Sequence, residues 1–282
     1  MIAFLFAKIR NTKTIIDWHN YGFSILALTN GPNHILCKIC KKMEIFFGKR
    51  ANINLCVTNA MKNDLLLNYN VKALTLYDKP HERFQPLSIE DKNDFFKKLA
   101  QNYNLKEFAD DESSNATAFT TNLNNKISMK SSRSALIVSS SSWTEDEDFH
   151  ILIDALELYQ NELTKNPNSE LPNLICALTG KGPLKEYYQN LFMEKNFKNI
   201  KILFVWLEPN DYPLLLGCSD LGVCFHKSTS DLDLPMKVVD MFGTTLPVCA
   251  LRFKCISELV KEDVYGKTFE NSSELAKQFQ VI

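Results

Sequence analysis

Apolar positions along this chain fall into short runs separated by stretches of helical spacing, and this alternation is its most legible feature. Met1–Ile9 (MIAFLFAKI) is a continuous apolar run and reads as a buried strand. Thr14–Ile16 predicts a second strand, and the polar, aromatic segment DWHNYGFS (17–24) reads as the loop after it. Asn52–Val57 (NINLCV) predicts another buried strand, followed by Thr58 as the N-cap of a helix from Asn59. Val71–Leu76 reads as the next strand, and YDKPHERF (77–84) as a proline-containing turn.

The second half is more regular. Ala135–Val138 predicts a strand that runs into four serines, and Thr144-Glu145-Asp146-Glu147 has the form of a capping box. The helix after it is marked by Phe149, Leu152, Ile153, Leu156 and Tyr159. Leu174–Leu178 predicts a strand closed by Thr179-Gly180-Lys181-Gly182, with Pro183 opening the helix PLKEYYQNLF. Then come a strand at Ile200–Trp206, a short helix at Tyr212–Leu216 and a strand at Leu221–Phe225. The polar loop HKSTSDLDL leads to Pro235 and the helix MKVVDMF, stopped by Gly243. A strand at Pro247–Leu251 and a helix at Ile256–Lys261 complete the pattern. Strand–helix alternation at this spacing means a parallel sheet covered on both faces, a Rossmann-like α/β domain. Between the halves, residues 104–134 are rich in Ser, Asn and Thr and predict a disordered loop or interdomain linker.

The chain has 282 residues, 45% hydrophobic and 23% charged, enough for one large or two modest domains. A formal net charge of −1 gives no global attraction to nucleic acid or to an anionic membrane. The eight cysteines lie mostly in apolar runs, as reduced, buried thiols do. Cys37-Lys38-Ile39-Cys40 is a CxxC without a second pair or a histidine at zinc spacing, so it reads as a helix face rather than a metal site. That setting also argues against use of the glycosylation sequon Asn115-Ala116-Thr117. No apolar run reaches the ~18 residues of a membrane helix. The first nine residues also lack the basic start and cleavage site of a signal peptide, so a soluble or peripherally attached chain is expected.

Three strand-to-helix junctions carry candidate chemistry, because ligands of such sheets bind outside the carboxyl ends of the strands. Gly180-Lys181-Gly182-Pro183 has glycines that allow close backbone approach and a helix start aimed at an anion; an ordinary glycine-rich turn is the plainer reading. At residues 226–243 a Ser/Thr-rich loop enters a helix with Lys237 in its first turn. A cation there opposes the helix dipole unless an anion is also present, which points to a phosphate. Asp240 is placed to accept from two ribose hydroxyls, with an exposed Lys–Asp pair as the alternative. The third junction is the serine run with Trp143 and the acidic cluster Glu145–Asp148, which a helix cap would also explain.

The pattern Pro-x-Lys-x-x-acid at Pro235, Lys237 and Asp240, followed by Gly243 and Pro247-Val248, resembles the nucleotide-sugar helix of GT-B type glycosyltransferases. The blocks DWHNYGFS (17–24), NLCVTNAM (54–61), YDKP (77–80), SWTEDEDF (142–149), TGKGPLKEYY (179–188), DYPLLLG (211–217) and SDLDLPMKVVDMFG (230–243) narrow it further. Together they closely resemble the chitobiosyldiphosphodolichol beta-mannosyltransferase family, over most of residues 14–275. The resemblance implies two Rossmann-like domains: an incomplete N-terminal one at 1–103, the insert at 104–134, and a C-terminal one at 135–282 lacking its last helices. Family members begin with a membrane anchor and the opening strands, so this chain is expected to be shortened at both ends.

The resemblance further implies GDP-mannose as donor, dolichol-diphosphate-linked chitobiose as acceptor, and transfer with inversion at the anomeric carbon. It implies the cytosolic face of the endoplasmic reticulum membrane, and contact with other mannosyltransferases of the same pathway. Neither a metal cofactor nor nucleic acid is implied. The donor set is Gly180, Lys181, Gly182, His226, Ser228, Pro235, Lys237 and Asp240, where many relatives carry Glu in place of Asp240. His19 is the candidate base with Asp17 orienting it, and Glu145 or Asp146 is its competitor. Two other readings stand beside this one: a non-catalytic nucleotide-binding or interaction module, and an enzyme for a different sugar nucleotide, which SDLDLPMKVVD counts against.

Overall fold

The computed structural model describes residues 2–110, 116–124, 126–166 and 169–281, apart from the side chains of Ala3, Leu5 and Lys8. Asn115 of the sequon lies outside the described residues. The chain divides into two compact units: 1–78 with 227–235 and 253–259, and 79–226 with 236–252 and 260–282.

The first unit opens with α1 (Ile2–Ile9), a helix where the sequence predicted a strand. A continuous apolar run does not distinguish the two by periodicity. Ala, Leu and Lys within it favour the helix. Then follow β1 (Ile15–Trp18), α2 (Gly22–Asn30), α3 (Ile35–Gly48), β2 (Ile53–Cys56), α4 (Asn59–Tyr69) and β3 (Leu74–Thr75). The expected strand at 71–76 is thus reduced to two residues, and the expected loop at 17–24 to the few residues between β1 and α2. The three strands form a parallel sheet in the order β1-β2-β3. Its core gathers Trp18, Tyr21, Met61, Leu65 and Val71. Thr58 caps α4 as predicted, its hydroxyl accepting from the Met61 amide at 2.9 Å and donating to the Leu232 carbonyl at 2.5 Å. A second cap comes from far along the chain: the Glu258 carboxylate accepts from the amides of Asn59 and Ala60 at 2.7 and 2.8 Å.

The second unit begins before the expected boundary at 103. Its α5 (Ile89–Asn102) is tied in by the Lys98 ammonium and the Tyr103 hydroxyl, which donate to Asp211 at 2.7 and 2.5 Å. Within 104–134, expected to be disordered, lie a 3-10 turn (Lys106–Phe108) and an antiparallel hairpin, β4 (Thr120–Leu123) with β5 (Lys126–Met129). The segment has few large apolar residues, but Phe108 and Phe119 stack on Phe96 of α5 with ring centroids 4.5–5.9 Å apart, and all three are buried. These three rings pack the described part of the segment against α5.

The rest is β6 (Ala135–Ser140), α6 (His150–Lys165), β7 (Leu174–Thr179), α7 (Lys185–Glu194), β8 (Ile200–Val205), α8 (Tyr212–Cys218), β9 (Leu221–Cys224), α9 (Met236–Gly243), β10 (Val248–Leu251), β11 (Gly266–Phe269) and α10 (Ser272–Phe279). The predicted helix at 256–261 is only a 3-10 turn, Ile256–Glu258. All six strands are parallel, in the order β11-β10-β9-β6-β7-β8. From β6 the chain builds outward through β7 and β8, then returns to add β9, β10 and β11 on the other side. The sheet therefore reverses direction between β6 and β9, the position where open α/β sheets bind ligands.

All eight cysteines are unpaired, and burial pushes the thiols of Cys176, Cys218, Cys249 and Cys255 up to about 12. Cys37 and Cys40 occupy α3 and donate to the Gly31 carbonyl and the Glu44 carboxylate, in keeping with the helix-face reading. Among the described residues no helix is long and apolar enough to cross a membrane, and no cluster of three or more His, Cys, Asp or Glu side chains could hold a metal ion.

Candidate functional site

Past the carboxyl ends of β6 and β9, two carboxylates of the loop after β6 meet two cationic or titratable side chains, His226 and Lys237. The loop after β6 does not form the predicted capping box. Thr144–Glu147 closes a turn, with the Glu147 amide donating to the Thr144 carbonyl at 3.0 Å, and α6 begins only at His150. Glu147 turns inward instead and is 2% exposed. Its Oε2 accepts from the Ser141 hydroxyl at 2.6 Å and from the amides of Ser142 and Trp143 at 2.8 and 3.1 Å. Its Oε1 accepts from the Lys237 ammonium, on the first turn of α9.

This pair answers the question that Lys237 raised. The anion that a cation at a helix start requires is present in the protein itself. A lysine ammonium has three N–H donors, and the bond to Glu147 uses one of them. Lys237 remains about a quarter exposed, so two donors are left at the carboxyl end of the sheet. It pairs with Glu147 rather than with Asp240, so the exposed Lys–Asp alternative does not hold. The loop is also strained: Trp143 has a φ of 50°, a left-handed backbone that costs a non-glycine residue about 1–3 kcal/mol. Trp143 is held there by the hydrogen bond its amide donates to Glu147 and by stacking on Phe149, centroids 4.5 Å apart.

Gly180 and Gly182 meet a packing need at this turn. Gly180 has a φ of 125°, and a Cβ there would lie 1.8 Å from the Ser141 carbonyl oxygen. A Cβ on Gly182 would lie 1.7 Å from that of Ser142. The glycines thus let the loop after β7 close onto the loop after β6. α7 starts at Lys185, two residues beyond Pro183. Between the glycines, the Lys181 ammonium sits 3.9 Å from the ring centre of Trp206, which follows β8.

His226, just past β9, faces Asp146 with 3.4 Å between Nδ1 and Oδ2. Glu145 is exposed. Asp240 lies half-buried on α9, and burial raises its carboxyl above the ordinary range, partly offset by Arg83 and His81. Those two residues reach it because Gly243 lets the 80–84 segment pack closely; a Cβ there would be 2.7 Å from Pro80.

Four predicted residues belong to the other unit. His19, 60% exposed, meets Asp17 at 3.1 Å through Nε2, with Asp78 at 3.9 Å from Nδ1. Ser228 is buried and donates its hydroxyl to Asp233 within its own loop. Pro235 is buried directly before α9. The expected Asp17–His19 partnership is therefore present, while the Ser228 hydroxyl is already engaged. Glu147, Asp146 as partner of His226, and the Arg83–His81 pair were not read from the sequence in these roles. A partial signal existed for Glu147: a lysine at a helix start calls for an acidic partner, and the 145–148 cluster follows the strand next to β9.

No protein-family model matches the chain. It is 49% identical over 276 residues to the chitobiosyldiphosphodolichol beta-mannosyltransferase of Homo sapiens, covering 96% of this chain and 59% of that protein. It is 42% identical over 292 residues to the UDP-glycosyltransferase TURAN of Arabidopsis thaliana, covering 97% and 63%. Among solved structures, Anabaena Alr3699/HepE in complex with UDP aligns with a TM-score of 0.64 at 16% identity, over 99% of this chain and 65% of that one. The sucrose-phosphate synthase of Thermosynechococcus elongatus aligns with a TM-score of 0.63 at 11% identity, over 99% and 61%. These structures share the GT-B fold with the chain. The chain spans about three fifths of the length of the curated relatives it matches.

Proposed function

Because the chain belongs, over 96% of its length, to the family of the chitobiosyldiphosphodolichol beta-mannosyltransferases, we propose that it serves transfer of mannose from GDP-mannose to a dolichol-diphosphate-linked chitobiose. The observation that supports this reading best is the Glu147–Lys237 pair at the point where the sheet reverses. Glu147, already accepting from three other donors, acts as a fixed mount, and Lys237 directs its two remaining N–H groups at the donor diphosphate. As the bond from the sugar to GDP breaks, negative charge accumulates on the diphosphate. A preset ammonium stabilises that charge without reorganising. Lys181 and the amides of the 180–182 turn add to the same field.

Asp240 accepts from the ribose hydroxyls, and His226, poised by Asp146, contacts the sugar or the diphosphate. An α-linked donor giving a β-mannoside requires one in-line displacement, in which the acceptor hydroxyl attacks the anomeric carbon as GDP leaves. His19 takes the proton of that hydroxyl, with Asp17 fixing the ring. Glu145 is the alternative base. The reaction runs at the cytosolic face of the endoplasmic reticulum membrane, and the charge carried by Lys237 meets the leaving group's need without a metal ion.

The test is transfer of labelled mannose from GDP-mannose to a chitobiosyl lipid. Lys237→Ala lowers the rate by on the order of a hundredfold or more, and unchanged transfer would sink the role given to the pair. A second reading, a UDP-sugar donor, is favoured by the Arabidopsis relative, a UDP-glycosyltransferase by name. A thermal-shift titration separates the two, since a nucleotide at 100 times its Kd adds about 2.7 kcal/mol of stability. Stabilisation by UDP and not by GDP would exchange the donor. Stabilisation by GDP without any turnover would leave a nucleotide-binding module.

A further inference from the structure

The loop between β9 and α9, residues 227–235, carries Ser228 and Pro235 of the expected donor set and belongs to the first compact unit. Its sequence, KSTSDLDLP, is polar apart from two leucines and the closing proline. Leu232 is buried and joins a core whose other buried members lie between Trp18 and Ala73. Beside it the fully buried Thr58 hydroxyl donates to the Leu232 carbonyl at 2.5 Å, while the same oxygen accepts from the Met61 amide at 2.9 Å. Capping α4 needs only a lone pair, which an ionised aspartate supplies without any proton to give. The proton of Thr58 is therefore surplus to the helix and is committed to the loop. A side-chain plug and a buried hydrogen bond thus meet at one residue.

The rest of the loop is braced mainly on itself. The Ser228 and Ser230 hydroxyls donate to the Asp233 carboxylate, and the Ser230 amide donates to the Ser228 hydroxyl at 3.2 Å. Asp231 is held in left-handed backbone at a φ of 56°, a conformation that a freed loop would relax. The contacts of Thr229 with Asn20 and Ser24 are exposed, where water competes for them. Internal bracing fixes the shape of the loop, whereas Leu232 and Thr58 fix its place. We propose that Leu232 and Thr58 are positioning residues for the nucleotide-sugar donor. They hold the 227–235 loop in the arrangement that presents Ser228, Pro235 and, through the chain, the start of α9. This rests on the donor reading given above. Both residues act through the loop: without them it samples other arrangements, and donor binding has to restore the competent one. Apparent affinity then falls in proportion to the competent fraction, and the saturated enzyme is unaffected.

The experiment measures KM for GDP-mannose and kcat for mannose transfer to a chitobiosyl lipid, using the full chain with Leu232→Ala, Leu232→Val, Thr58→Val or Thr58→Ser. A loop competent roughly a tenth of the time raises KM about tenfold at unchanged kcat, and that is the result expected for Leu232→Ala. Leu232→Val, which keeps most of the plug, and Thr58→Val move KM the same way by less. Thr58→Ser keeps the proton and matches the parent. A merely structural role lowers kcat with the amount of folded chain and leaves KM alone. That outcome, or Thr58→Ser behaving like Thr58→Val, would overturn the proposal. Hydrogen exchange keeps the test independent of the harsher variants and of the donor: the Ser230 amide is expected to exchange faster in Leu232→Val than in the parent, with α6 unchanged. Equal exchange at Ser230 would also overturn it. If the parent transfers no mannose from GDP-mannose while the exchange difference is present, the donor reading fails and the anchoring of the loop remains.

Discussion

The two parallel sheets arise from the same strand–helix alternation, yet they bury themselves very differently. In the six-stranded sheet every residue of β7 and the first five of β6 are buried, and α6 contributes Leu152, Ile153, Ala155, Leu156 and Tyr159 to the core. In the three-stranded sheet β1 buries only Trp18 of its four residues, and α2 buries none. Local pattern is enough to specify the elements in both. Burial depends on how many faces of a sheet are covered, and only the larger sheet has apolar helices against most of its surface. The smaller unit keeps apolar side chains at its surface, where they are free to meet something other than its own core.

Substitutions can break or sharpen that contrast. The largest effect belongs to the larger sheet: Phe149→Ala removes a ring packed against Trp143, Tyr188 and Phe225 and costs about 3–5 kcal/mol. Leu28→Ala, on α2, changes stability by less than about 0.5 kcal/mol. Denaturant unfolding measures both, and similar losses would remove the distinction. A pair of glycines gives a sharper version. Gly180→Ala meets both a φ of 125° and the Ser141 carbonyl, and costs roughly 2–3 kcal/mol. Gly31→Ala, at the end of α2, has a φ of 81° but nothing within 4 Å, so only backbone strain remains and the cost is about 1 kcal/mol.

The smallest effect is a pH dependence. Burial raises the Asp240 carboxyl above its ordinary 3.8, so its ionisation opposes folding. That opposition is complete above the raised folded value and vanishes as pH falls to the unfolded value. Asp240→Asn is therefore expected to raise the midpoint of thermal unfolding slightly at neutral pH, and to leave it unchanged at the acid end. The same substitution weakens nucleotide binding if the carboxylate holds the ribose. A variant less stable at neutral pH would show that ionised Asp240 contributes to the fold.

The larger sheet was legible in the sequence because its strands are fully apolar runs punctuated by glycine and proline, as at Leu174–Leu178 before Gly180. Thr58 was legible as a cap because capping is a local bond between neighbours. The first helix was not, since a run such as Met1–Ile9 carries no period to separate helix from strand. The hairpin at 120–129 was hidden by its polar composition, because the rings that order it lie apart in sequence, at Phe96, Phe108 and Phe119. Of the site, the cations and glycines stood out by type and position. Their partners did not: Lys237 meets Glu147 ninety residues away, and Ser141 explains Gly180 only once two strands are paired. Contacts of that range follow from topology, which no single segment encodes.

The reversal of strand order between β6 and β9 also bears on how the molecule assembles. Ile137 and Leu221, partners across that seam, are more than eighty residues apart in sequence, whereas β6, β7 and β8 follow one another closely. Joining the two halves therefore carries the larger loop-closure entropy and comes late in folding. Glu147 and Lys237 stand on opposite sides of the seam. A partly folded chain can hold much of its sheet and still lack the Glu147–Lys237 pair, so formation of that pair reports completed folding of this unit.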